Sequence, residues 1–405
     1  MKETDLIQKA LGLTAPWKVV GVTFDYERRR LDIEIDFERG ATFDCPACGV
    51  AGCTAHDTEI KQWRHLNFFQ HEAYIRARVP RAGCSDCGPR VVDVPWARLG
   101  SGFTLLFEAF IMMLAKEMPV NAIARLVGEH DTRLWRVLRH YVKEARQHVD
   151  MSEVKRVGVD ETSRKKHHKY VGVVVDLDRS QVLYATEGKD SAVIESFAED
   201  LEAHGGVREA VREACCDMSP AFISGVGKHL PEAQLTFDKF HVMKVINDAV
   251  DKVRIEERWQ RPELLKSKYL WLTNRENLKD RQLQRLEGLR MKQLNLKTAR
   301  AYHIKLNFQE FWNQPPDEAE AFLKRWYFWA THSRLEPIKQ AAYTIKRHWA
   351  GVLRWATSRI NNGILEGINS LIQAAKARAR GYRSAANFIT MIYIIAGKLE
   401  FDLPT

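Results

Sequence analysis

Apolar and polar positions change period several times along the chain, and each change predicts a different kind of structure. From Val19 to Phe37 the pattern reads as two strands around a charged turn, because Leu31, Ile33, Ile35 and Phe37 alternate with Asp32, Glu34 and Asp36. A stretch rich in β formers follows, with Trp63, Leu66, Phe68, Tyr74, Ile75 and Val79. After Pro95 the period becomes helical. Phe103 to Met118 reads as one helix, and Val120, Ile123, Ala124 and Val127 form an i, i+3, i+4, i+7 stripe that stops at Gly128. Asp131 or Thr132 caps a third helix, whose inward stripe is Leu134, Leu138, Tyr141 and Val142. Two helices joined by so tight a turn predict a helix-turn-helix.

From Lys155 onward β-branched runs return. KRVGVDE, KYVGVVVDLD and QVLYATEG predict three consecutive buried strands. A helix with Ile194, Phe197 and Leu201 on one side ends at Gly205-Gly206, and a strand near Val211 to Cys216 runs into Asp217. Ser219-Pro220 starts a further helix, and a fifth strand, AQLTFD, reaches Asp238. The order β-β-β-α-β-α-β predicts a mixed α/β sheet with Asp160, Asp217 and Asp238 at strand carboxyl ends, where sites gather. Between about Val245 and Trp355 the text is helical, charged and scattered with Trp, which predicts a helical insertion. A last helix begins near Gly363. Ile364, Leu365, Ile368, Leu371, Ile372 and Ala375 are expected inward, with Glu366, Asn369, Gln373 and Lys376 on the other face, away from the core.

A chain of 405 residues suggests two to four units, and a hydrophobic fraction of 45% is ample for folded cores. The net charge of +10 favours a polyanionic partner, with nucleic acid first. The opening MKETDLIQKALGL lacks a basic segment followed by an apolar one, and no stretch approaches about 18 uncharged apolar residues. The expectation is a cytoplasmic protein with no membrane partner.

Seven Cys is an odd number, and four fall in two C-x-x-C pairs, Cys45/Cys48 and Cys84/Cys87, which points to metal rather than disulfides. Each pair is followed by glycine, Gly49 or Gly88, and the set matches one structural zinc held by four thiolates. The 35 residues between the pairs exceed the usual spacing, so Cys53 and His56 stand as substitute ligands.

Phosphodiester cleavage needs an attacking oxygen deprotonated and a leaving oxygen stabilised, work that two divalent ions perform when hard carboxylates hold them. Asp160, Asp217 and Glu366 supply such a set if the last helix packs across the sheet. Taken alone, Asp217 is equally a turn former and Glu366 a solvated helical charge. Asp238 is either an auxiliary ligand or the cap of the helix that starts at Lys239. Arg133, Arg136, Arg139 and Lys143 on the third helix suit DNA phosphates or base edges. So do Arg164, Lys165 and Lys166 in the loop after Asp160. Lys376, Arg378, Arg380 and Arg383 follow Glu366 by about three to five turns and form a candidate phosphate track.

GVDE at 158–161, CDMSPAF at 216–222, FDKFHV at 237–242 and NGILEGINSLIQAAKARARGYRS at 362–384, with the two Cys pairs, resemble bacterial insertion-sequence transposases of the ISL-three family. The resemblance covers nearly the whole chain. It implies a multidomain α/β protein with a β-rich zinc-binding domain at 1–98 and a helix-turn-helix at 99–150. An RNase H-like mixed-sheet catalytic core would occupy 151–244 and 356–405, interrupted by a helical insertion domain at 245–355. The insertion accounts for the distance from Asp217 to Glu366, 366 − 217 = 149 positions. By the same resemblance Asp160, Asp217 and Glu366 take the DDE positions, holding two Mg²⁺ or Mn²⁺. The partners implied are double-stranded DNA, as terminal inverted repeats and target, and further copies of the chain, at least a dimer on DNA in the nucleoid. An RNase H-like nuclease without strand transfer, or a zinc-dependent DNA-binding regulator, would carry much of the same pattern.

Overall fold

The computed structural model describes residues 2–165, 169–291, 294–360 and 363–404. Lys166, expected in a basic loop after Asp160, lies outside them, as do His167 and His168; Arg164 and Lys165, expected in the same loop, belong instead to the strand that carries Asp160, which stays paired to Lys165. The chain divides into two compact units, Met1–Ala145 with Glu400–Thr405, and Arg146–Leu399.

In the first unit a short helix, α1 (Glu3–Ala10), precedes the strands β1 (Trp17–Asp25), β2 (Arg30–Phe37), β3 (Thr42–Phe43), β4 (Cys53–Phe68), β5 (His71–Cys84) and β6 (Gly88–Val91). They form one sheet in the order β1-β2-β5-β4-β3, with β6 on β5. The alternation expected of β2 is observed: Leu31, Ile33 and Ile35 are buried, packed with Ile75, Val79 and Trp63. The helices α2 (Leu105–Glu117), α3 (Val120–Val127) and α4 (Asp131–Gln147) follow. Gly128 ends α3 with left-handed backbone. Leu134, Leu138, Tyr141 and Val142 of α4 are buried as expected.

Glu108, which interrupts the apolar run of α2, is fully buried rather than solvated. Its carboxylate accepts from Arg98 Nε (2.9 Å), Ser101 Oγ (2.6 Å) and the Tyr141 hydroxyl (3.2 Å), so the buried charge is paired and hydrogen-bonded.

The second unit contains β7 (Arg156–Lys165), β8 (Lys169–Asp176), β9 (Gln181–Glu187), α5 (Ala192–Ala203), β10 (Glu213–Cys216), α6 (Pro220–His229) and β11 (Gln234–Phe237). The sheet order is β11-β10-β7-β8-β9. β7, β8 and β9 form an antiparallel meander, while β10 runs parallel to both β7 and β11. This is the RNase H-like mixed sheet. Val157 and Val159 pack on one face against Ile194, Phe197 and Leu201 of α5 and Phe222 and Val226 of α6.

α7 (Lys239–Glu257) leaves the sheet and enters a helical region with α8 (Lys268–Leu272), α9 (Asp280–Leu289), α10 (Lys297–Gln309), α11 (Pro316–Thr331), α12 (Glu336–Arg347) and α13 (Trp349–Ser358). The region has its own core, in which Val242, Ile246 and Val250 pack with Trp271, Tyr302, Phe308, Trp312 and Trp326. Three of the scattered Trp are therefore core residues, whereas Trp259 is 80% exposed. The chain returns to the sheet through α14 (Gly363–Arg378) and α15 (Ala385–Ala396). α15 packs on β9, where the Ala185 N–H donates to the Tyr393 hydroxyl (3.0 Å). No helix among the described residues is long and apolar enough to cross a membrane.

Candidate active site and metal centre

The parallel pairing of β10 sets the level of the carboxylates. Cys215 lies opposite Gly158 of β7, and Cys216 opposite Phe237 of β11. Extending both registers puts Asp217 level with Asp160 on one side and Asp238 on the other, across strands about 4.8 Å apart. The Asp238 N–H donates to the Cys216 carbonyl (3.1 Å), which continues the β10–β11 ladder to this row. Strand alternation turns Asp160 to the face of Gly158, opposite the core formed by Val157 and Val159.

α14 lies across that face. A Cβ on Gly158 would come within 2.7 Å of the Leu365 side chain, so only glycine permits the helix so close to the strand. Further along, Asn369 Nδ2 donates to Asp160 Oδ2, Gln373 Nε2 to Thr162 Oγ1 and Lys376 Nζ to the Ser163 carbonyl. The polar face of α14, expected to point away from the core, instead follows β7 residue by residue. Leu371, expected inward, is 48% exposed. Glu366 is exposed, one turn before Asn369 and flanking the same face.

The Asp row is electrostatically crowded. Burial pushes the Asp160 carboxyl above its ordinary value, and the negative charges of Asp217 and Asp238 push it further. Glu161 is raised as well, by burial first and then by Asp217. His241 Nδ1 lies 3.3 Å from Asp238 Oδ2, and that contact, with the charges of Asp160 and Asp217, raises the imidazole above its usual range. Asp217 Oδ1 also accepts the Ser219 N–H (2.9 Å), and Asp238 caps α7 by accepting the Phe240 N–H (2.8 Å). The two local roles read as alternatives for these residues are thus occupied.

A tighter cluster lies in the first unit. Each of Cys45, Cys48, Cys84 and Cys87 offers a sulfur, and the four lie within 4.8 Å of one another; among the described residues no other group of three or more His, Cys, Asp or Glu is so close. Cys48 Sγ and Cys84 Sγ are 3.7 Å apart. That matches the edge of a tetrahedron with metal–sulfur bonds of about 2.3 Å. The long spacing between the pairs has a simple cause: β4 runs out and β5 runs back as one antiparallel hairpin, which returns Cys84 to the knuckle it left. The N–H groups of Ala47 and Cys48 hold the Cys45 thiol down at about 7, whereas the adjoining Cys48 sulfur pushes Cys87 up to about 12, the opposed shifts of thiols packed together. Gly49 and Gly88 turn each knuckle with left-handed backbone, φ +76° and +69°. Cys53 is buried beside the four without joining them, and His56 is exposed.

Residues 157–392 match the DDE family of ISL3, described as a transposase. The chain belongs to the ISL3 transposase family. Residues 92–142 match the helix-turn-helix domain of transposase family ISL3, and residues 41–87 the zinc-finger of transposase IS204/IS1001/IS1096/IS1165. The transposase for insertion sequence element IS1557 of Mycobacterium tuberculosis is 27% identical, covering 89% of this chain and 87% of its own length. The transposase for IS1001 of Bordetella parapertussis is 28% identical, covering 86% and 87%.

In this ISL3 transposase the zinc-finger match encloses all four clustered sulfurs, and the helix-turn-helix match encloses α3 and the start of α4 through Val142. On α4, Arg136, Arg139 and Lys143 are exposed and share one face at i, i+3 and i+7. Arg133 is engaged within the protein: its guanidinium stacks over Phe103 (4.2 Å) and pairs with Glu129. Arg164 is buried, donating to the Arg383 carbonyl and Glu187 (both 3.3 Å). Lys165, Arg378, Arg380 and Arg383 are exposed, and Lys376 is half-buried against β7. Sequence reasoning missed Asn369 as a partner of Asp160. The signal was its i+3 spacing from Glu366.

Proposed function

We propose that this transposase binds the double-stranded ends of an insertion sequence, cleaves phosphodiester bonds there and joins the freed 3′ ends to target DNA. The observation that carries the reading is the level row of Asp160 and Asp217 under α14, with Asn369 tied to Asp160 and Glu366 one turn away. Asp160, Asp217 and Glu366 would hold two Mg²⁺ or Mn²⁺, with Asp238 in support. The donor set fits: the groups are hard carboxylates, burial and the charge of Asp217 disfavour the charged form of Asp160, and a divalent cation relieves both penalties. When bound, such ions supply activation of the attacking oxygen and stabilisation of the leaving one.

The chain's own part is positioning. Asn369 fixes the Asp160 carboxylate, and the Ser219 N–H fixes that of Asp217. His241, whose charged form is favoured by its contact with Asp238, would offset part of the negative charge beside the row. One zinc on Cys45, Cys48, Cys84 and Cys87 would close the base of the β4–β5 hairpin. Arg136, Arg139 and Lys143 would meet DNA from α4, with Lys165, Arg378, Arg380 and Arg383 contacting phosphates near the carboxylates; Arg133 and Arg164 are spoken for internally. Since joining involves two ends, at least two copies would act together on DNA.

The test is divalent-metal-dependent cleavage and joining of duplexes carrying the element's terminal repeats. Wild-type protein should give joined products, and Asp160→Ala, Asp217→Ala and Glu366→Ala should each lose cleavage while retaining end binding. Wild-type activity in Asp217→Ala would overturn the assignment, and cleavage without joining would mark a nuclease.

A further inference from the structure

A cavity of about 320 Å³ opens between α10 and the carboxyl end of α11. Its floor is firm, because Ile304 is buried and the Trp326 indole donates to the Ile304 carbonyl (3.0 Å), locking the two helices together. Arg300 enters its lining from α10 and Arg334 from the turn after α11, and both are exposed. Among the described residues neither Arg pairs with a carboxylate, and no Asp or Glu lines the cavity. Trp329, 44% exposed, and His332 complete an aromatic wall, with the His332 ring stacked on Phe328 at 4.0 Å. His303 also lines the cavity, and its Nε2 accepts from Arg290 (3.1 Å), which leaves Nδ1–H as a donor. The turn is held in place: the Leu335 N–H donates to Ser333 Oγ, and Arg334 sits at φ +59°, a backbone state that costs a β-carbon and is kept only where the surroundings impose it.

Unpaired guanidinium groups call for an anion, and an exposed indole beside them calls for a flat π-system. One ligand offers both within so small a volume: a nucleotide whose base is out of the stack. A duplex offers its phosphates, but its bases show only their edges and its width exceeds the cavity. We propose that this cavity binds an unpaired nucleotide of a DNA strand, with the base against Trp329 and the phosphates on Arg300 and Arg334. The inference rests on the reading that the protein handles DNA, and it adds a single-strand site in the helical region to the duplex-reading helix α4.

The experiment measures the affinity of the full-length, zinc-loaded protein for a fluorescent single-stranded oligodeoxynucleotide of about 12 nucleotides, beside a duplex carrying the element's end. Trp329→Ala should weaken single-strand binding roughly tenfold, and Trp329→Phe should recover most of it, since stacking needs only an aromatic face. Arg300→Glu with Arg334→Glu should weaken it as much and flatten its salt dependence. Duplex-end affinity should stay within about twofold in all three, because α4 is untouched. Unchanged single-strand affinity in Trp329→Ala, or no single-strand binding by the wild type, overturns the proposal. If the wild type fails to bind or cleave duplex ends yet shows the Trp329-dependent single-strand binding, the proposed function fails while this site stands.

Discussion

Asn369 donates its side-chain amide to the carboxylate of Asp160, and this one bond joins a helix to a strand 209 positions earlier in the chain. It fixes the rotation of α14 about its axis and so decides where Glu366 lies. Because Asn369 donates to Asp160 Oδ2, it also holds that oxygen in a set direction. Asn369→Ala should therefore lower the metal-dependent cleavage rate about 10- to 100-fold, the range found when a group that orients a metal ligand is removed. The metal concentration for half-maximal activity should rise, while duplex-end affinity is unchanged. Asn369→Asp, which sets another negative charge against a crowded row, should be worse than alanine.

Metal content checks the Cys cluster directly. Purified protein should carry one zinc per chain, and Cys84→Ser or Cys45→Ser should lose it together with duplex-end binding. Cys53→Ser should keep it, since that sulfur lies outside the four.

The buried Glu108 makes a prediction about stability. Glu108→Leu leaves Arg98 and the Tyr141 hydroxyl facing an apolar side chain, and removing one partner of a buried ion pair costs about 3–5 kcal/mol. The expected outcome is a large fall in the first unit's denaturant midpoint and loss of end binding, with the second unit's transition unmoved.

His65 gives a pH dependence with a defined sign. Burial, helped by the charge of Arg64, lowers its folded value from 6.5 to about 4. The folded state then binds fewer protons than the unfolded state between those values. Stability is full above about pH 6.5 and falls as pH drops towards 4, by up to about 1.4 kcal/mol per pH unit. Urea unfolding of the first unit from pH 7 to 5, at equal zinc content, should show a shallower loss in His65→Gln than in the wild type.

Much of this protein is determined by its sequence alone, because period and punctuation are local properties. The alternation at Leu31, Ile33 and Ile35 faces the core as read, the stripes of α3 and α4 are buried, and the strand order that puts Asp217 and Asp238 just past β10 and β11 follows from the β-branched runs; Asp160, read as a strand end too, lies inside β7, because that strand stays paired with β8 as far as Lys165. The two C-x-x-C pairs announced a metal site, although their separation made sense only once β4 and β5 paired as a long hairpin. What tertiary structure alone decided is orientation across distance. Helical period places Glu366, Asn369, Gln373 and Lys376 on one side of α14, but says nothing about what that side meets; the bare Gly158 lets the helix settle on β7 and turns the polar side onto the strand. Charge likewise marks Arg133 and Arg164 as candidates for DNA. Only the fold shows that Phe103 and Glu129 take up the first, and Glu187 and the Arg383 carbonyl the second, because a guanidinium's partners are chosen by whichever acceptors packing brings within reach.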